Sequence, residues 1–111
     1  MYFEHIKGLK SEQAVVECLK KQGWQLLHQR YKTPFAEVDL VFGKVGLLRI
    51  IEVKTIANWD FVSYRLSKKQ RNRLILAFHY FQQRFKGDVV LELALVSGDR
   101  DILFIEIENV C

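Results

Sequence analysis

The sequence predicts one α/β domain built on a mixed β-sheet flanked by helices, with elements in the order helix, three strands, helix, two strands (αβββαββ). Three observations carry that expectation. Two stretches space apolar side chains as a helix does, four of five runs of strand length are mostly apolar, and Gly43 to Gly46 form a turn between two of them. The 111 residues suffice for one core, so residues 1–111 are expected to form a single domain.

The first helix is expected from about Leu9 to Gln22, stopped by Gly23. Its clearest stripe is Glu12, Val15, Val16 and Leu19, at i, i+3, i+4 and i+7. Glu12 is thus aligned with the buried face. Either it serves a site on the sheet, or it answers the positive end of the helix dipole. The first strand is expected over Gln25 to Tyr31, and Lys32-Thr33-Pro34 then breaks toward the hairpin. Arg30 and Lys32 reach phosphate or face water.

The hairpin pairs Ala36–Phe42 with Leu47–Thr55. Asp39, Glu52 and Lys54 stand among Val, Ile and Leu, where a half-buried strand should carry no unpaired charge. Pairing Phe42 with Leu47, or Gly43 with Gly46, gives one register, with Asp39 opposite Ile50 and Glu37 opposite Glu52. Side chains alternate faces, so Glu37, Asp39, Glu52 and Lys54 would share one side. A slip of one residue would separate them. Two carboxylates beside an ammonium on a rigid support suit a hard cation such as Mg²⁺ or Mn²⁺. A structural ion pair on a half-exposed sheet is the competing reading.

Residues 56–65 show no clear periodicity; Trp59, Phe61 and Tyr64 beside Arg65 either stack on unpaired bases or anchor the loop. A second helix is expected over Lys68 to Phe85, with Leu74, Phe78, Phe81 and Phe85 buried. Ser67 and Gln70 match a capping box, and Gln70 also points toward the sheet, where it would help to position a water or a phosphate. Asp88–Val96 suits a sheet interior, Ser97–Asp101 a turn, and Ile102–Ile107 a last strand.

Net charge is +4 and uneven. Between Phe61 and Gly87 lie seven basic residues (Arg65, Lys68, Lys69, Arg71, Arg73, Arg84, Lys86) and no acid. One basic element on an otherwise slightly acidic body suggests a phosphate-bearing partner, and a solvated helix face is the plainer alternative. No run approaches the roughly 18 apolar residues of a membrane span, and the N-terminus lacks a signal-peptide core, so a cytoplasmic protein is expected. Cys18 and Cys111 are lone cysteines, expected to be reduced. There is no Gly-rich phosphate loop or nucleophile elbow, and His5, His28 and His79 lack metal-ligand spacing.

Taken together, an Asp on one strand, Glu-x-Lys on the next, a Glu on the preceding helix and a basic helix after resemble the PD-(D/E)XK nuclease superfamily. More narrowly the chain is similar to the YraN-like family of predicted endonucleases, related to Holliday-junction resolvases. The likeness runs from Gly8–Gly23 through Ala36–Leu40, Ile51–Thr55 and Lys69–Arg71 to Asp88–Val90 and Ile107–Cys111. Ala36 replaces the usual glycine, and Ile56 stands where an arginine is common. The resemblance implies a restriction-endonuclease-like fold. It implies metal ligation by Asp39, Glu52 and the Val53 carbonyl, catalysis by Lys54, and an acidic cluster completed by Glu12. The function expected is Mg²⁺-dependent hydrolysis of DNA, branched DNA included. Arg65, Lys68, Lys69, Arg71 and Arg73 would hold the backbone; the oligomeric state stays open, a homodimer being the option that analogy with paired resolvases offers. The alternative is a non-catalytic nucleic-acid-binding or assembly module on the same fold.

Overall fold

The computed structural model describes residues 2–57 and 65–107, with side chains from residue 8 onward. Trp59, Phe61, Tyr64 and the closing Glu108, Asn109, Val110 and Cys111 lie outside the described residues. The elements are α1 (Tyr2–Lys21), β1 (Gln25–Lys32), β2 (Glu37–Lys44), β3 (Leu47–Thr55), α2 (Lys68–Arg84), β4 (Asp88–Val96) and β5 (Ile102–Glu106). That is the expected order. The five strands lie side by side in chain order, antiparallel except for the β3–β4 pair, which α2 joins in parallel.

Each helix covers one face of the sheet. Val15, Val16 and Leu19 of α1 pack on Leu40, Phe42, Ile51, Val53, Ala94 and Val96. Leu74, Ala77 and Phe81 of α2 pack on Val41, Leu48, Ile50 and Leu91 on the other side. Full burial of a Val or Leu contributes about 1.5–3 kcal/mol, and this two-sided core holds the central strand β3 rigid. A rigid β3 is what a site on Glu52 and Lys54 needs.

α1 begins well before Leu9, running through Gly8. A glycine inside a helix costs about 1 kcal/mol, which weakens the helix without ending it. No helix among the described residues is long and apolar enough to cross a membrane.

The hairpin register is two residues from the one expected. Lys44 pairs with Leu47 and Leu40 with Ile51, around a Val45-Gly46 turn. Turn chemistry explains the difference. A Lys44-Val45 loop would have put side-chain-bearing residues where tight hairpin turns demand positive φ. The observed turn places Gly46 there, at φ 75. Because the shift is even, every paired side chain keeps its face.

Candidate metal and nucleic-acid site

Asp39 sits where the hairpin comes apart. The β2–β3 ladder ends at Leu40 and Ile51; one more step would set Asp39 level with Glu52. Leu40 and Phe42 pack toward α1 and Val41 toward α2, yet Val38 also packs toward α2. The alternation therefore slips by one residue at Asp39. β1 slips alongside: Gln29 and Tyr31 keep their partners Leu40 and Val38, while Arg30 between them adopts a left-handed φ of 47. With the ladder ended, the Val53 N–H donates instead to Asp39 Oδ2 at 2.7 Å. The carboxylate replaces a backbone acceptor, and this ties it to β3 beside Glu52.

Glu52 is buried, at 8% exposure, on the α2 side of β3. Gln70 Nε2 donates to its Oε2 at 3.1 Å, and Lys54 Nζ stands 3.5 Å from the same oxygen. Oε1 is buried with no hydrogen-bond partner among the described residues. Burial, above all, pushes the Glu52 carboxyl up to about 8. The Asp39 charge adds to the rise, as does the hydrogen bond that a protonated Glu52 makes to Asp39, and Lys54 opposes it. As two carboxylates the pair has no proton to share, which is why Oε1 is orphaned.

Gln70 takes part in the cap of α2 and faces the sheet, as its spacing suggested. Its backbone N–H bonds Ser67 Oγ at 3.1 Å and caps α2. Its side chain does not reach back to close the box; it reaches Glu52. A cleft of about 130 Å³ opens there, bordered by Ala36, Glu37, Glu52, Gln70, Arg73 and Leu74. Lys68, Lys69 and Arg73 are exposed along the start of α2, Arg71 is half-buried, and Arg65 is exposed just before the helix. No acid occupies the first turn of α2, so its positive end goes unanswered by an acidic side chain there.

Glu12 approaches from α1, on the opposite layer. Burial raises its pKa first and the charge of Asp39 next; Arg30 opposes both, and Glu37 adds a little. Arg30 Nη1 bonds Glu12 Oε1 at 2.7 Å. That pair gives Arg30 an acid on α1 as partner, while the residue stays exposed to water as one reading expected. The pairing was invisible in the sequence, because no periodicity marks a residue whose backbone turns left-handed. Ala36 and Val38 pack toward α2, so the alternation turns the Glu37 side chain away from that layer, while the residue still borders the cleft at Glu52. Among the described residues no group of three or more His, Cys, Asp or Glu side chains is arranged to hold a metal ion.

Residues 11–94 match the sequence pattern of "Uncharacterised protein family UPF0102". The chain is 30% identical to a UPF0102 protein of Campylobacter lari over 99 residues, 88% of either chain. It is 31% identical over 86 residues to UPF0102 protein RPA0323 of Rhodopseudomonas palustris, covering 78% of this chain and 66% of that one. UPF0102 protein Cj0148c of Campylobacter jejuni is 28% identical over 97 residues, 86% of this chain and 87% of its own. With three quarters of its length inside that pattern, the chain belongs to the UPF0102 family.

Proposed function

We propose that the chain is a divalent-metal-dependent endonuclease of the PD-(D/E)XK type, hydrolysing DNA phosphodiester bonds, at branched structures among others. The observation that carries this reading is Glu52. A buried carboxylate with an orphaned oxygen, pressed against Asp39 and forced to hold a proton up to about pH 8, is suited to a cation in place of that proton. The donors are hard oxygens, as Mg²⁺ or Mn²⁺ prefers. Asp39 and Glu52 would hold the ion with the Val53 carbonyl, water and substrate completing its shell. When bound, such an ion supplies Lewis acidity at the phosphodiester.

The remaining work falls to side chains already in place. Gln70 and Lys54 fix the Glu52 carboxylate through Oε2, leaving Oε1 without a partner among the described residues. The Lys54 ammonium stands where charge developing on a phosphate oxygen can be neutralised. Arg73 borders the same cleft, and Lys68 and Lys69 extend the cationic surface, so the duplex backbone would lie along the start of α2.

A second reading, a nucleic-acid-binding module without turnover, is favoured by one observation. Arg30 already occupies Glu12. Cleavage of labelled four-way junctions and linear duplexes separates the two. The nuclease reading expects cutting with Mg²⁺ or Mn²⁺ and none in EDTA. Lys54→Ala should lower the rate at least about 100-fold while DNA affinity stays within a few-fold. Binding without cutting under either metal would leave the second reading. Absence of nucleic-acid binding at low salt would remove both.

A further inference from the structure

A second cavity, of about 250 Å³, opens at the C-terminal ends of β3 and β4 on the α1 side of the sheet. Its polar lining comes from Lys10, Ser11, Thr55, Ser97 and Arg100, with Gly98 at the turn. The site above uses none of them. Ser11 Oγ and Thr55 Oγ1 lie 2.5 Å apart, so one hydroxyl donates to the other and one proton remains to be given elsewhere. Ser97 Oγ accepts the Asp101 N–H at 3.1 Å and keeps its own proton. Ser11 and Ser97 are both buried, at 5% and 4% exposure. Lys10 and Arg100 add cations, and among the described residues neither forms an ion pair. Among the described residues no carboxylate lines the cavity; Asp101 borders the adjoining cleft with Glu17 and Lys21, and Arg100 stands between the two. A concave surface of donors and positive charge, whose described lining holds no carboxylate, is complementary to an oxyanion.

We infer that this cavity seats a backbone phosphate of the nucleic-acid strand, next to the phosphate at Glu52 and Lys54. The inference rests on the nucleic-acid reading above and adds a contact on the opposite side of the sheet. Thr55 follows Lys54 on β3, and Ser11 precedes Glu12 on α1. Successive strand residues point to opposite faces, so Lys54 and Thr55 straddle the end of β3. A polynucleotide crossing that end meets Lys54 on one side and the donor cavity on the other. The open ends of parallel strands are where α/β sheets take ligands.

The test uses full-length protein, a fluorescent duplex and a four-way junction, titrated at several salt concentrations. The pocket variant combines Lys10→Gln with Arg100→Gly. Arg100 has a left-handed φ of 67, a conformation glycine adopts freely, so this change removes the guanidinium without disturbing the turn. The control, Lys20→Gln with Lys21→Gln, removes the same charge from two exposed positions at the end of α1. The pocket variant should bind about tenfold more weakly, with the salt slope reduced by about one, and the control should stay within about twofold of wild type. A pocket variant that matches the control while wild type binds DNA overturns the inference and leaves the nuclease reading intact. Inorganic phosphate followed by amide NMR decides the source. Shifts at Thr55, Ser97 and Gly98 without any DNA binding would make this a free-anion site and overturn the strand assignment. No response to either probe overturns it as well.

Discussion

Two glutamates are buried to nearly the same depth on neighbouring strands, Glu52 on β3 and Glu92 on β4, and the chain treats them in opposite ways. They are almost level, since Glu92 pairs with Ile51, but they face opposite layers. Glu92 receives Arg49 through two bonds, at 2.5 and 2.9 Å. That guanidinium is itself flanked by Trp24 and Phe104, at 4.7 and 5.0 Å from the ring centroids. Charge meets charge, every acceptor is used, and aromatic faces close over the pair. Glu52 gets a lysine at 3.5 Å, one amide, a second carboxylate and an orphaned oxygen. Burial alone therefore says little about function. What distinguishes Glu52 is that the protein leaves its burial uncompensated at a place open to a cleft.

Neutralising each acid in turn should give effects of opposite sign. Glu92→Gln leaves Arg49 buried against a neutral amide, which costs about 3 kcal/mol and lowers Tm by about 10 °C. Glu52→Gln should raise Tm in EDTA. The sign follows from the raised carboxyl. Folded Glu52 holds its proton up to about pH 8, whereas the unfolded chain releases it near 4.5. Its contribution to stability is therefore complete below pH 4.5 and lost as pH rises through about 8. The gain of Glu52→Gln over wild type, on the order of a few kcal/mol, should be full above pH 8 and vanish below 4.5. Melting curves from pH 4 to 9 test this. If Glu52→Gln destabilises at pH 8 as Glu92→Gln does, the contrast between the two acids is lost.

A divalent cation should sharpen the same contrast. Mn²⁺ or Mg²⁺ at about 100 times its Kd should stabilise wild type by about 2.7 kcal/mol, and Glu52→Gln and Asp39→Asn hardly at all. The shift should grow from pH 6 to 8, because the ion displaces a proton. Glu92→Gln, though less stable, should gain as much as wild type. Equal gains in every variant would place the ion elsewhere.

How far the sequence revealed this contrast depended on what kind of signal each residue left. Charges inside apolar strands marked Asp39, Glu52 and Lys54, and helical spacing set Gln70 facing the sheet. Such patterns follow backbone periodicity, which survives an error of two residues in register. The alternation that turns the Glu37 side chain fails at Asp39, and nothing in Glu-Val-Asp-Leu announces a slip. The Arg30–Glu12 pair went unread for the same reason. The Glu92 pair left no local trace, since Arg49 and Glu92 meet only when β3 and β4 lie side by side. The sequence thus marked Glu52 among its apolar neighbours and passed over Glu92, whose burial and partner only the assembled sheet reveals.

Glu12 lies between these extremes, an acid only partly claimed by its arginine. Arg30 is half-exposed, at 48% of its side chain, so the pair contributes no more than about 1 kcal/mol. Its left-handed backbone costs about as much again. Arg30→Gly removes both terms, and Tm should move by no more than a few degrees. Metal affinity is the informative readout. If Glu12 completes the acid set once released, Mn²⁺ should bind Arg30→Gly several-fold more tightly than wild type by calorimetry. That gain should disappear in Arg30→Gly/Glu12→Gln. An unchanged affinity would give Glu12 the fate of Glu92, an acid the protein has already neutralised, and would leave Asp39 and Glu52 as the whole carboxylate complement of the site.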